Sequence, residues 1–339
     1  MLADQDEAAA TLLDGLDLDA LLGALVRSRG YDAALRDPPG KRAWSDELPT
    51  SVSFVQLYER IDQLAGLLHM NRAQPGARVA ILAPLGPEAI ISTLASLRAG
   101  LSPLLLPLHA GDADLLRMID EAGAVMGLGV GRVGAVQPLT TLRRLAARAF
   151  GMRFVGGFGQ VVPDGVAPLD ALMASAARHP LPALASRSPL HIVEPRGLDG
   201  PHAVSERAIL AGALAVSRLL KPMASSRIVS ALSGCDLASL ATGPGAALLT
   251  GAELLPLGLF SHGDLQACLE GGRTVHLVAP AALESALARS RLGGHDALAS
   301  VVFVHRPGDA PALPALDRPE LTIVDLHAGS ATGIEVARR

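Results

Sequence analysis

The stretch PGARVAILAPLGPEAIISTLASLRAG, Pro75 to Gly100, carries the pattern on which the fold turns. A Pro-Gly turn leads into RVAIL, a short apolar run suited to a strand buried on both faces of a parallel sheet. Pro87 then stands near the start of a helical stretch and Gly100 at its end, the positions these residues favour. PLLLP follows at once and reads as the next strand. Strand, crossover helix, strand is the unit of an α/β protein.

Reading outward, the same alternation recurs. Ser53 and Gln56 form a capping box before a helix whose apolar face is Phe54, Leu57, Tyr58, Ile61, Leu64, Ala65 and Leu68. Leu12, Leu13, Leu16, Leu21, Leu22 and Leu25 predict an amphipathic N-terminal helix, and Tyr31 to Thr50, rich in Pro and charge, reads as loop. Downstream come a helix in DADLLRMIDEAG, a strand in AVMGLGV, a helix in PLTTLRRLAARAF and a strand in MRFVGGF. Pro163 to Ser188 is rich in Pro and Ala and is the internal boundary. Beyond it PLHIV, RIVSAL, AELLPL, TVHLVAP, SVVFVH and LTIVDL read as strands, with helices starting near Ser205, Asp236, His262 and Ala281. The prediction is an α/β protein of two adjoining subdomains with mainly parallel sheets flanked by helices. Its segments are an N-terminal helix and loop (1–50), a first subdomain (51–162), a connection (163–187) and a second subdomain (188–339).

Composition excludes several classes. Half of the 339 residues are hydrophobic, 18% are charged and only 3% are aromatic, so the core is built from Leu, Ala and Val. Few rings and a net charge of −4 argue against nucleic acid as a partner. The N-terminus is acidic before it is apolar, the reverse of a secretory signal. The longest uncharged run, Leu237 to Ala252, is broken by Gly243-Pro244-Gly245 and falls short of a membrane span. Cys235 and Cys268 form no CxxC pair and read as buried thiols, which suits a cytoplasmic protein.

Familiar chemical motifs are few. GVGRVG, Gly129 to Gly134, matches the dinucleotide fingerprint by letter, but the next helix begins only after Pro138 and no acidic residue follows before Gln160. No HExxH, EF-hand or GxSxG occurs, and the ten histidines are scattered, so neither a metal site nor an esterase-type nucleophile is expected. Cys235 lies beside Asp236 at a strand-to-helix turn, and with no identifiable His partner it reads as a packed thiol. His327 and Ser330 in DLHAGSATG follow the last predicted strand, where open α/β sheets place ligands; a tight turn with a Ser cap is the competing reading. EPRGLDGPHAVSER, Glu194 to Arg207, follows a predicted strand and has glycines that permit close backbone approach to a phosphate, yet it holds no Lys or Thr.

Taken in order, these segments resemble the N-terminal domain of the adenylate-forming superfamily: acyl-CoA synthetases, peptide-synthetase adenylation domains and luciferases. SFVQLYERIDQLAGLL is similar to the family's TYxELxxRxxxLAxxL helix, and Pro75–Gly100 to its GDxVAIxxxNxxExxxxxLAxxKAG segment. LSPLLLPLHAGDADLLRMIDEAGAVMGLG follows as the family's xxPLxPxxxxxxLxxxLxxxxAKxxx does. The resemblance spans most of the chain from Ser53 and weakens after Phe150.

The resemblance makes PRGLDG-PHAV the counterpart of the phosphate loop TSGTTGxPKGV. Gly197, Gly200, Pro201 and Val204 match, while the family's hydroxyl and ammonium donors give way to Arg196, Leu198, Asp199 and His202. The vestigial phosphate loop is therefore Gly197, Asp199, Gly200 and His202. HAGSA, His327 to Ala331, stands where the family has YGxTE, so His327, Gly329 and Ser330 form a vestigial adenine and magnesium motif whose metal-binding Glu is Ala331. The sequence stops at Arg339, before the family's hinge Asp and its C-terminal domain with the catalytic Lys. The resemblance thus implies no catalytic residue, no metal and no cofactor. The expected role is a degenerate binding or partner module, by self-association or with another protein subunit, with an acyl ligand also conceivable along SALSGCDLASL and VHLVAPAALESAL. Two alternatives stand beside it: a divergent ligase using ATP and Mg, completed by a second chain, and a purely structural subunit.

Overall fold

The computed structural model describes residues 13, 15–175, 181, 189–192, 201–234, 236–307, 309, 315–329 and 333–339. Its frame is two sheets. The first has seven strands in the order β7-β6-β5-β3-β4-β8-β9: β3 is Arg78–Leu82, β4 Ser102–Leu105, β5 Ala124–Val130, β6 Phe154–Phe158, β7 Ala167–Pro168, β8 Leu190–Ile192 and β9 His202–Val204. All neighbours run parallel except β8 with β9. The stretch Pro75–Gly100 folds as read: β3 is followed by helix α4 (Pro87–Arg98), with Pro87 in its first turn, and then by β4. Apart from Glu88, every residue of α4 is buried, because the helix packs on β3 and β4 and also against the helices at Phe54–Met70 and Leu18–Arg29. The first of those (α3) opens on the predicted capping box of Ser53 and Gln56; the second (α1) is capped by Asp17.

The second sheet has eight strands in the order β15-β14-β13-β12-β10-β11-β1-β2. Here β1 is Ala33–Arg36, β2 Ser51–Ser53, β10 Arg227–Ser230, β11 Glu253–Pro256, β12 Val275–Pro280, β13 Leu298–His305, β14 Thr322–Ala328 and β15 Ile334–Arg338. The pairs β1/β2 and β14/β15 are antiparallel and the others parallel. One apolar core runs from α1 through both sheets to Val324 and Leu326, and a second lies on the other face of the eight-stranded sheet around Leu277, Val301 and Phe303. The mixed α/β class with parallel-rich sheets is therefore the observed one.

Several boundaries differ from the expectation. Tyr31–Thr50 is not all loop: β1 is a four-residue strand between β11 and β2, and four residues are too few to show a period. Sheet membership crosses the predicted segments: β8 and β9 complete the first sheet, while β1 and β2 complete the second. LTIVDL is not the last strand, since β15 returns antiparallel to it. The run from Leu237 to Thr250 stays helical through a π turn at Ala241–Gly245, which accommodates Pro244 and its missing N–H.

The segment between β1 and β2 lies across the carboxyl edge of the first sheet. Lys41, buried, reaches Glu88 (2.6 Å), Asp37 (3.0 Å) and Glu47 (3.4 Å). Burial and the charge of Glu88 push the Glu47 carboxyl up to about 9, so it stays protonated at neutral pH. Arg132, after β5, donates to Asp46 (2.7 Å), and the Gly134 N–H donates to the Trp44 carbonyl (2.7 Å). That is also where GVGRVG goes: it leads into a turn held by the 37–50 segment, and the following helix starts at Pro138.

Candidate functional site

Parallel sheets gather ligands at the carboxyl ends of their strands. In the eight-stranded sheet that edge holds the ends of β10, β12, β13 and β14. Strand alternation places Phe303 and His305 of β13 on one face, and the register pairs them with Asp325 and His327 of β14. His305 Nε2 lies 2.8 Å from Asp325 Oδ1, and the rings of His305 and His327 stack at 4.6 Å with 18° between planes.

Arg339 closes this cluster. Its guanidinium donates to Asp325 Oδ1 (2.6 Å) and to Glu284 Oε1 (2.6 Å) and Oε2 (3.0 Å), and it lies over the Phe303 ring at 5.5 Å. Glu284, at the start of the helix Glu284–Arg289, also accepts from the backbone N–H groups of Ala315 (2.9 Å) and Leu316 (3.2 Å). Burial alone would raise the Glu284 and Asp325 carboxyls. The Arg339 hydrogen bonds outweigh it, with His305 adding to them at Asp325, and hold both below the ordinary range.

On the neighbouring side Asp236 caps the helix Leu237–Leu240. Its Oδ1 accepts from Ser239 N–H (2.8 Å) and its Oδ2 from Arg306 Nε (2.6 Å), just beyond β13. The carboxylate is buried, which would raise its pKa, but Arg306 and Ser239 keep it depressed and ionised. Chemically the edge offers an imidazole oriented by a carboxylate. That carboxylate is shared with an arginine, and each neighbouring carboxylate already holds its own donors.

The predicted site residues fall as follows. Gly197, Asp199, Gly200 and Ser330 lie outside the described residues, as does Cys235. His202 opens β9 and pairs with Ile192 on the seven-stranded sheet. His327 does not follow the last strand: it lies inside β14 opposite Glu335 of β15, because the hairpin continues the sheet past it. Gly329 donates its N–H to the Gly333 carbonyl (2.9 Å), closing that hairpin. The helix after β9, Glu206–Leu220, packs on β14 and β15, and Gly212 there faces Ile334 so closely that a Cβ would come within 2.7 Å of it. His305, Arg306, Asp325, Glu284 and Arg339 were not singled out from sequence. Their only signals were a histidine closing SVVFVH and the i, i+2 pair Asp325 and His327.

Residues 31–151 match the model of the AMP-binding enzyme family. The fold extends the likeness along the chain. The N-terminal domain of FACL13 from Mycobacterium tuberculosis, solved with an inhibitor, aligns with a TM-score of 0.75 at 14% identity, over 93% of this chain and 76% of that one. MbtA from Mycobacterium smegmatis gives 0.73 at 18% identity, over 98% and 61%. The anthranilate CoA ligase AuaEII, in complex with anthranoyl-AMP, gives 0.71 at 14% identity; 93% of this chain is covered, and the chain spans 59% of that ligase's length. No curated protein matches by sequence. The chain thus has the N-terminal-domain fold of the adenylate-forming enzymes, as its motifs implied.

Proposed function

We propose that this AMP-binding-like domain is catalytically degenerate and acts as a binding or partner module. The observation that carries this reading is the charge balance at the carboxyl edge. Asp236, Asp325 and Glu284 stand there against two guanidinium groups, Arg306 and Arg339, each already bonded to those carboxylates. A triphosphate brought to that edge meets carboxylates before it meets free donors. The sequence of the phosphate-loop counterpart points the same way, since it has Asp199 and no Lys or Thr. On this reading the edge is unsuited to a magnesium triphosphate, whose metal takes one or two carboxylates free of internal partners, because Asp236, Asp325 and Glu284 are each bonded to an arginine. The module would act through self-association, through another polypeptide or by holding an acyl ligand. No helix among the described residues is long and apolar enough to cross a membrane.

A second reading, a divergent acyl-adenylate ligase with substitute residues, draws on the His305–Asp325 pair, the arrangement of a general base. Acid-dependent pyrophosphate exchange across a panel of fatty and aryl acids separates the two. The proposal expects none. Robust exchange that disappears on Asp199→Ala or His327→Ala would establish the second reading. Light scattering after size exclusion, with a pull-down from the native host and analysis of co-purified acyl compounds, tests the module itself. A monomer that retains neither partner nor ligand would remove it.

A further inference from the structure

The opposite, amino-terminal edge of the same sheet has another character. β10 and β11 begin side by side with Arg227 and Glu253, and Arg273 precedes β12. Glu253 is fully buried and is the focus of three arginines. Arg227 donates through Nε (2.8 Å) and Arg36, from the end of β1, through Nε (2.7 Å); Arg273 lies 3.4 Å away. Burial would raise this carboxyl, but the Arg36 hydrogen bond and the Arg227 charge hold it ionised, below its ordinary value.

These arginines differ in what they have left to give. Arg227 is buried and fixed: besides Glu253 it donates to the Cys268 carbonyl (3.4 Å) at the end of the helix His262–Glu270, under Gly271, where a Cβ would stand 3.1 Å from its guanidinium. Arg36 and Arg273 are 42% and 41% exposed and each spends one nitrogen on Glu253. All three line a cleft of about 600 Å³, bordered by Thr50 at the end of the β1–β2 connection and by Ser51 at the start of β2. The other carboxylate on its wall, Asp37, is committed to Lys41 and to the Thr50 N–H and hydroxyl (2.9 Å each). Three guanidinium groups thus face one available carboxylate, leaving an excess of positive charge with planar donors turned toward the cleft. Planar forks of this kind bind carboxylate and phosphate oxygens two at a time.

We propose that this cleft is an anion site for a dianionic phosphate group, with Arg36 and Arg273 as its ligands and Arg227 as the fixed base on which Glu253 holds them. Glu253 is a positioning residue: it aligns the two exposed side chains and neutralises only one of the three charges. The site lies at the opposite edge of the sheet from the AMP-binding counterpart and does not depend on the reading of that edge.

The test is isothermal titration of the full chain with inorganic phosphate and, separately, with glycerol phosphate, at constant ionic strength set by chloride. Saturable binding of one phosphate per chain is expected, weakened at least tenfold in Arg36→Ala/Arg273→Ala. The charge-matched surface double variant Arg117→Ala/Arg153→Ala should bind as the parent does. Tighter binding of the ester would assign the site to a phosphorylated metabolite; equal binding would assign it to free phosphate. Both substituted arginines are two-fifths exposed, so the variant is expected to fold, and a thermal melt verifies this. Absence of saturable binding, or equal binding in the Arg36/Arg273 variant, would overturn the proposal.

Discussion

The two edges of the eight-stranded sheet solve the burial of charge in opposite ways. At the carboxyl edge carboxylates outnumber guanidinium groups, and each is saturated: Asp236 by Arg306 and Ser239, Asp325 by His305 and Arg339, Glu284 by Arg339 and two backbone N–H groups. At the amino edge guanidinium groups outnumber available carboxylates, and the surplus faces a cleft. The difference teaches that a fold's usual ligand edge need not be where its uncommitted charge resides. Coulomb attraction for an anion depends on what is left after internal pairing, not on how many arginines are present.

The largest effect should come from breaking the most buried of the carboxyl edge's ion pairs. Arg306→Ala leaves the Asp236 carboxylate buried without its ion partner, which typically costs about 3–5 kcal/mol. Urea denaturation at neutral pH measures it. The Asp236 pKa lies below its unfolded value, so its pairing stabilises above the unfolded pKa and is lost as pH falls. The deficit of the variant should therefore shrink on acidification, as the parent loses the same interaction. A loss under about 1 kcal/mol would show that the edge is not held by this pair.

Next in size is an effect from between the two edges. His276 on β12 is buried, its Nδ1 lies 2.7 Å from Ser300 Oγ, and burial pushes it down to about 4. Its folded pKa is depressed, so the neutral ring favours the fold above the unfolded value and this stability is lost as pH falls from about 6.5 toward 4. The loss should reach roughly 2–3 kcal/mol. His276→Gln should flatten that part of the stability curve. An unchanged acid slope would place the titration elsewhere.

How much of this was legible in the sequence follows from which contacts are local. The capping box of Ser53 and Gln56, the Pro87 start of the central helix and the strands β10 to β14 are written in neighbouring residues, and all form. β1 escaped because four residues are too few to show a period and its inner partner, β11, is remote: Arg36 meets Glu253 217 residues away. β15 escaped because IEVAR carries two charges in five residues, as befits a partly exposed edge strand. The His305–Asp325–Arg339–Glu284 cluster depends on the register of β13 with β14 and of β14 with β15, which no period reveals. The AMP-binding likeness directed attention to His327, two residues along the same strand from Asp325.

The smallest expected change in stability is also the sharpest probe of the contrast. Arg273 lies 3.4 Å from Glu253 and is 41% exposed, whereas Arg227 and Arg36 already satisfy that carboxylate. An exposed, redundant partner contributes little, so Arg273→Ala should shift unfolding by less than about 1 kcal/mol in phosphate-free buffer. Added phosphate changes the comparison, because a ligand that binds only the folded state stabilises it by mass action. The parent should then gain thermal stability with rising phosphate and the variant much less, so that their melting curves, nearly superimposed at first, separate. At the carboxyl edge no such separation is expected: phosphate should leave the difference between Arg306→Ala and the parent as it was. If phosphate instead narrows that difference while leaving Arg273→Ala and the parent together, the open charge of this molecule lies at the carboxyl edge after all, and the assignment of the two edges is reversed.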